Sequence, residues 1–223
     1  YRPPGLHPVE PRISLPREPL IVGSGPAGLF AALHLARKGY RPLVLERGQA
    51  VGARTRAVER LWREGVLDPE SNTQFGEGGA GAFSDGKLTT GKASALDELI
   101  VEDLVRAGAP EAIQYSYRPH IGTDYLRRVV VNLRREIESL GGNVRFGSKV
   151  TDLTLEDGAV AGVSVDGDRL PARAVILAIG HSARDTLAML SCRGVAMEPK
   201  AYAVGTRIEH PAEFVNVAQY GPE

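Results

Sequence analysis

The chain has 223 residues, with 27 lysines and arginines against 27 aspartates and glutamates, so its formal net charge is zero. With that balance no global field points to nucleic acid or to an anionic membrane, and 43% hydrophobic against 24% charged residues is ordinary for a globular protein able to bury a large core. A single cysteine, Cys192, excludes a disulfide framework and a four-cysteine metal site and fits a reducing, cytoplasmic setting; no apolar run approaches the roughly 20 residues of a membrane span.

The first segment, residues 1–18, is proline-rich without apolar periodicity and reads as an extended linker. It does not begin with methionine, so the chain is expected to be an internal piece of something longer. From Leu20 to Glu46 the sequence reads strand, glycine turn, apolar helix, second strand and terminal carboxylate. That is the dinucleotide-binding βαβ pattern in full context. Gly23 permits the tight turn, Gly25 leaves room for a pyrophosphate at the helix N-terminus, and Gly28 lets helix and strand pack closely. Pro26 sits in the first turn, where its missing N–H is harmless. Glu46 stands where a carboxylate accepts ribose hydroxyls, and it disfavours a 2′-phosphate, although Arg47 beside it softens that argument.

Residues 54–63 are predicted to form a short helix with Val58, Leu61 and Trp62 on one side. A long loop follows to about Lys92, and from Gly76 it carries four glycines in six positions, bracketed by Phe75 and Phe83. Phenylalanines are foreign to flexible linkers, so this cluster is expected to touch a cofactor rather than to supply slack.

Leu96–Ala107 reads as a helix ended by Gly108 and Pro110. After R-P-H-I-G, Thr123 or Asp124 can cap an amphipathic helix to Leu140, with Leu126, Val129, Val130, Leu133 and Ile137 at helical spacing. Residues 143–165 read as strands, with Asp157-Gly158 as a hairpin turn. The apolar run Ala174–Ile179 suits a parallel strand covered on both faces; Gly180 ends it and a helix follows over Ala183–Arg193. Residues 202–209 are taken as a further strand.

The order implies an α/β, Rossmann-like FAD/NAD(P)-binding fold: a central parallel sheet, a β-hairpin or meander, and inserted helical segments. The expected division is a cofactor domain over 19–92 and 143–193, incomplete at its C-terminus, a helical insert over 93–142, and the start of a substrate domain over 194–223.

Among reactive side chains, Ser182 with Asp185 three positions on reads as a helix cap, and His181 stands between proton shuttle and loop ligand. His120 and Lys87 are candidates for a substrate-facing and a flavin-facing group, a structural or solvated role being the plainer expectation for each. Cys192 has no C-x-x-C partner, which excludes a dithiol reductase. No metal-ligand spacing appears, and no catalytic acid or base is identified.

The runs V-G-S-G-P-A-G-L-F-A-A-L, L-V-L-E-R-G, F-G-E-G-G-A-G-A-F-S-D-G-K-L-T-T, R-P-H-I-G-T-D and I-G-H-S-A-R-D-T resemble the uncharacterised FAD-dependent dehydrogenases of the glutathione-reductase-like group. The resemblance implies bound FAD, with NAD(P)H a candidate electron donor and a small molecule as substrate. It implies that Gly23, Ser24, Gly25, Pro26, Ala27 and Gly28 bind the pyrophosphate and that Glu46 holds the ribose with Arg47 beside it. Gln74, Gly76, Gly78, Gly79, Ala80 and Gly81 would approach the pyrophosphate, ribityl chain or flavin. Val150 would meet the adenine through its backbone, and Gly180 would sit beside the cofactor. A flavin-binding protein acting in RNA modification, or a non-catalytic flavin module, is the alternative reading. The late Gly-Asp that such flavoproteins use for the ribityl chain is not found; Gly167-Asp168 lies in a hairpin instead.

Overall fold

A computed structural model describes residues 18–83, 86–88, 95–116, 119–202, 204–206 and 208–222. The proline-rich segment, Glu18 excepted, and Ser84-Asp85 lie outside the described residues.

Three-residue strands build the central sheet. β1 (Leu20–Val22) runs into α1 (Pro26–Arg37), which leads to β2 (Leu43–Leu45). β3 (Asn143–Arg145) flanks β2, and β7 (Val175–Leu177) flanks β1 on its other side, giving the parallel order β3-β2-β1-β7. β1 is buried throughout, as a central parallel strand must be. A separate antiparallel meander follows the sheet: β4 (Val150–Glu156), β5 (Ala159–Val165) and β6 (Asp168–Pro171). Asp157 and Gly158 both have positive φ, as do Asp166 and Gly167, so each hairpin turns on an aspartate-glycine pair.

Helices lie between β2 and β3 in the chain. α2 spans Val51–Glu64, α3 Ala95–Arg106 and α4 Thr123–Ser139. Val129, Val130, Leu133 and Ile137 of α4 join Leu29 and Leu33 of α1 in one buried cluster. A second cluster, built from Leu20, Leu45, Val150, Val163 and Leu190, lies between sheet, meander and α5 (Arg184–Cys192).

Several expectations change here. α2 is longer than read, and its buried face is Val51, Arg54 and Val58, while Trp62 is 63% exposed. α4 starts behind Gly122 with no side-chain cap from Thr123 or Asp124. No strand occurs among the described residues of 202–209; the segment is irregular and leads to α6 (Ala212–Tyr220), none of whose residues is buried.

Candidate cofactor site

At the C-terminal ends of β1, β2 and β7 lies a cavity of about 550 Å³. That is where open parallel sheets place ligands. Its wall includes Gly23, Gly25, Pro26 and Ala27 from the first turn, Glu46 and Arg47 from the end of β2, and Gln74, Gly76, Gly79 and Ala80 from the glycine loop. Val150 contributes from β4, and Gly180, His181 and Ser182 follow β7. Stretches far apart in sequence thus converge on one space.

The first turn is built as expected. Gly23 has φ +102, and a Cβ on Gly28 would lie 1.9 Å from the Gly23 carbonyl oxygen. Pro26 stands at the start of α1, whose leading N–H groups receive no side-chain cap. Such uncapped donors, with the helix dipole behind them, suit an anion. The glycine loop closes over this turn: Gly79 lies against Gly25 and Pro26, and the Gly78 N–H donates to the Ser24 carbonyl (2.9 Å).

Four expected residues shape the site from behind instead of lining it. Ser24 is fully buried beneath the turn, and Gly28 packs on Gly23. Gly78 faces Val130 and Gly81 faces Leu126, both on α4; a Cβ on Gly78 would lie only 3.0 Å from Val130, so Gly78 makes room for that helix.

Glu46 also differs from expectation. It lines the cavity, yet Oε2 accepts from the Ser24 N–H and hydroxyl (2.8 Å each), and Oε1 accepts from the N–H groups of Gly48 (2.8 Å) and Gly76 (3.0 Å). A carboxylate offers about four acceptor sites. In this conformation all are spent on the chain, so a ribose hydroxyl reaches Glu46 only by displacing one of them.

Arg47 is engaged as well. Its guanidinium forks onto Asp185 (2.9 and 3.0 Å), donates to Glu70 (2.7 Å) and lies 4.1 Å over the Phe75 ring. Lys149 joins the same two carboxylates at 2.8 Å. The hydrogen bond from Arg47, helped by Lys149, holds the Asp185 carboxyl far below the usual carboxylate range.

Ser182 does not cap α5. Its hydroxyl donates to Gln74 Oε1 (3.1 Å) and lies 3.1 Å from His181 Nδ1, while Asp185 is drawn to Arg47. Two links therefore run across the cavity from the α5 side, Ser182–Gln74 to the glycine loop and Asp185–Arg47 to the end of β2. Lys87 and His120 meet in an isolated antiparallel bridge, fixed by the Leu88 N–H to Pro119 and the Ile121 N–H to Gly86. Cys192 is exposed, and no metal-binding cluster occurs among the described residues.

The features missed from sequence lie in the glycine loop's support. Arg54 is fully buried, and burial pushes its guanidinium down to about 10, still a cation at neutral pH. Glu77, also fully buried, accepts from the Val51 N–H and from Arg134 Nε (2.7 Å each). A charged residue on a helix pattern, as Arg54 is, reads as solvent face, whereas Glu77 stands within the glycine loop itself.

A family model described as FAD dependent oxidoreductase matches residues 97–218, more than half of the chain. The chain belongs to the FAD dependent oxidoreductase family. A second model, for an NAD(P)-binding Rossmann-like domain, matches residues 21–76. An uncharacterized protein of Clostridium beijerinckii is 53% identical over 91% of this chain and 38% of its own length. Protein FixC of Escherichia coli O157:H7 is 31% identical over 88% of this chain and 44% of its own. The probable electron transfer flavoprotein-quinone oxidoreductase YdiS of Escherichia coli K12 is 31% identical, over 84% and 42%. The chain thus spans less than half the length of these relatives. Thermovibrio ammonificans THI4 shares the fold, with a TM-score of 0.51 at 21% identity over 80% of this chain and 63% of that one.

FAD is the cofactor of this family, and the site fits it: uncapped α1 donors, a glycine-on-glycine cradle too tight for side chains, and a cavity whose wall includes both Ala80 and Val150. No helix among the described residues is long and apolar enough to cross a membrane.

Proposed function

We propose that this chain holds FAD in the sheet-end cavity and serves a flavin-dependent oxidoreductase whose substrate is a small molecule. The observation that carries the reading is the meeting of the uncapped α1 N-terminus with the glycine loop across Gly25 and Gly79. When bound, FAD supplies hydride or electron transfer, chemistry that side chains alone do not offer.

The chain's own residues bind and orient. The first-turn N–H groups after Gly25 would take the pyrophosphate, and the Val150 backbone would meet the adenine. Arg47 and Phe75 would wall the adenosine end. Ser182–Gln74 and Asp185–Arg47 would hold the two sides of the cavity at fixed spacing. Residues 93–142 would form a helical insert on α1, and 194–223 would open the substrate domain. NAD(P)H is the proposed electron donor. The likeness to YdiS supports an electron carrier as the acceptor.

The test is the visible spectrum of the purified protein before and after denaturation. A flavin spectrum released as FAD is expected, and NAD(P)H should bleach it. Protein that stays colourless after incubation with FAD would overturn the reading.

A further inference from the structure

A phosphate cradle works best when its donors point the right way before the ligand arrives. The glycine loop is aimed from behind. Arg54 on α2 stands off the cavity wall, and its Nη1 donates to the carbonyls of Gly76 (3.2 Å), Glu77 (2.7 Å) and Gly79 (2.8 Å). Nε donates to Asn72 (2.8 Å) and Nη2 to Thr73 (3.2 Å).

A trans peptide points its N–H opposite to its C=O. Each carbonyl drawn to Arg54 therefore turns the following N–H the other way. Of the three that follow the carbonyls bound to Nη1, two have visible uses: the Glu77 N–H donates to the Gln49 carbonyl (3.1 Å) and the Gly78 N–H to the Ser24 carbonyl (2.9 Å). The third belongs to Ala80. Its partner carbonyl, on Gly79, is held by Arg54, and Ala80 itself is on the cavity wall beside the Gly79–Gly25 contact.

We propose that Arg54 is a positioning residue that presets the Ala80 N–H as an anion donor, facing the α1 N-terminus across the cavity so that a pyrophosphate is gripped from both sides. The proposal rests on the FAD reading above. Arg54 acts through the loop and touches no ligand. Its planar fork is what serves: five carbonyl oxygens are reached from one guanidinium, which a lysine ammonium with three donors cannot do.

The experiment uses the full-length protein and two variants. In Arg54→Lys the charge stays but the fork is lost. Amide exchange in peptides covering 76–83 is expected to rise at least tenfold with α1 unchanged, and FAD affinity, read by flavin fluorescence, to fall at least tenfold. Ala80→Pro deletes the donor directly at the start of a 3-10 helix, where proline's φ is tolerated. It too should weaken FAD at least tenfold, even if Arg54→Lys does not fold. FAD affinity within twofold of wild type in Ala80→Pro, or unchanged exchange over 76–83 in a folded Arg54→Lys, would overturn the proposal. Wild-type protein that takes no FAD would overturn the cofactor reading instead, and the exchange arm would still decide whether Arg54 sets the loop.

Discussion

Gly79 stands so close to Gly25 that a methyl group on Gly79 would come within 3.1 Å of the Gly25 Cα and 3.3 Å of the Pro26 Cδ. Backbone meets backbone there, and the contact sets the width of the cavity between the first turn and the glycine loop. Gly79 also has φ +63, a region that costs an alanine about 1 to 2 kcal/mol. Gly79→Ala should therefore lower stability by about that amount and reduce FAD affinity further by forcing the loops apart. Urea unfolding and flavin titration would check the two effects; unaltered FAD affinity would mean that the contact does not shape the site.

Glu46 joins three segments through its four accepted hydrogen bonds. In Glu46→Gln one oxygen becomes an NH2 group that faces donors instead of accepting from them. Leaving a buried donor unmatched costs about 1 to 3 kcal/mol, so a loss of at least ~2 kcal/mol is expected. The check is the urea midpoint at unchanged m-value, and a shift worth less than ~0.5 kcal/mol would show that the carboxylate is dispensable to the fold.

The cluster of Asp185, Arg47, Lys149 and Glu70 predicts an acid-sensitive closure. The hydrogen bond from Arg47 lowers the Asp185 carboxyl in the folded chain. A lowered folded value means that the stabilisation is present above the unfolded carboxylate value, about 3.9, and is lost as pH falls through the folded value. Asp185→Asn should flatten the stability profile below about pH 4 and leave its slope near neutrality unchanged. Thermal melts from pH 2 to 7 would test this; parallel profiles for variant and wild type would sink it.

Ser182→Ala removes the hydroxyl linking His181, Gln74 and the α5 side. These groups are exposed, so stability should change by less than ~0.5 kcal/mol. Release of FAD should nonetheless quicken several-fold, because one of two links across the cavity is gone. Stopped-flow displacement of flavin would measure it, and an unchanged rate would assign the link no part in retention.

Much of this was legible in the sequence. The run from Leu20 to Glu46 carried its elements, because Gly23 and Gly28 each answer a local steric demand. Asp157-Gly158 announced its hairpin for the same reason. What stayed hidden depends on partners distant in the chain. Arg54 reads as solvent face on a helix, and only five carbonyls from residues 72–79 make it a core residue. Ser182 and Asp185 read as a cap, yet Gln74 and Arg47 compete for both side chains and win. The pattern of 202–209 suited a strand, but no neighbouring strand accepts it among the described residues.

The order of the sheet also governs how the protein is made. β1 pairs early with β2, its neighbour in sequence, but its other edge waits for β7, which joins Leu20 to Val175 across most of the chain. Contacts of such separation form slowly, because a long loop must close first. Gly180 to Ser182, just after β7, stand on the cavity wall with the first turn and the glycine loop. A mutation that slows β7 docking would therefore delay cofactor capture without touching a ligand-facing atom.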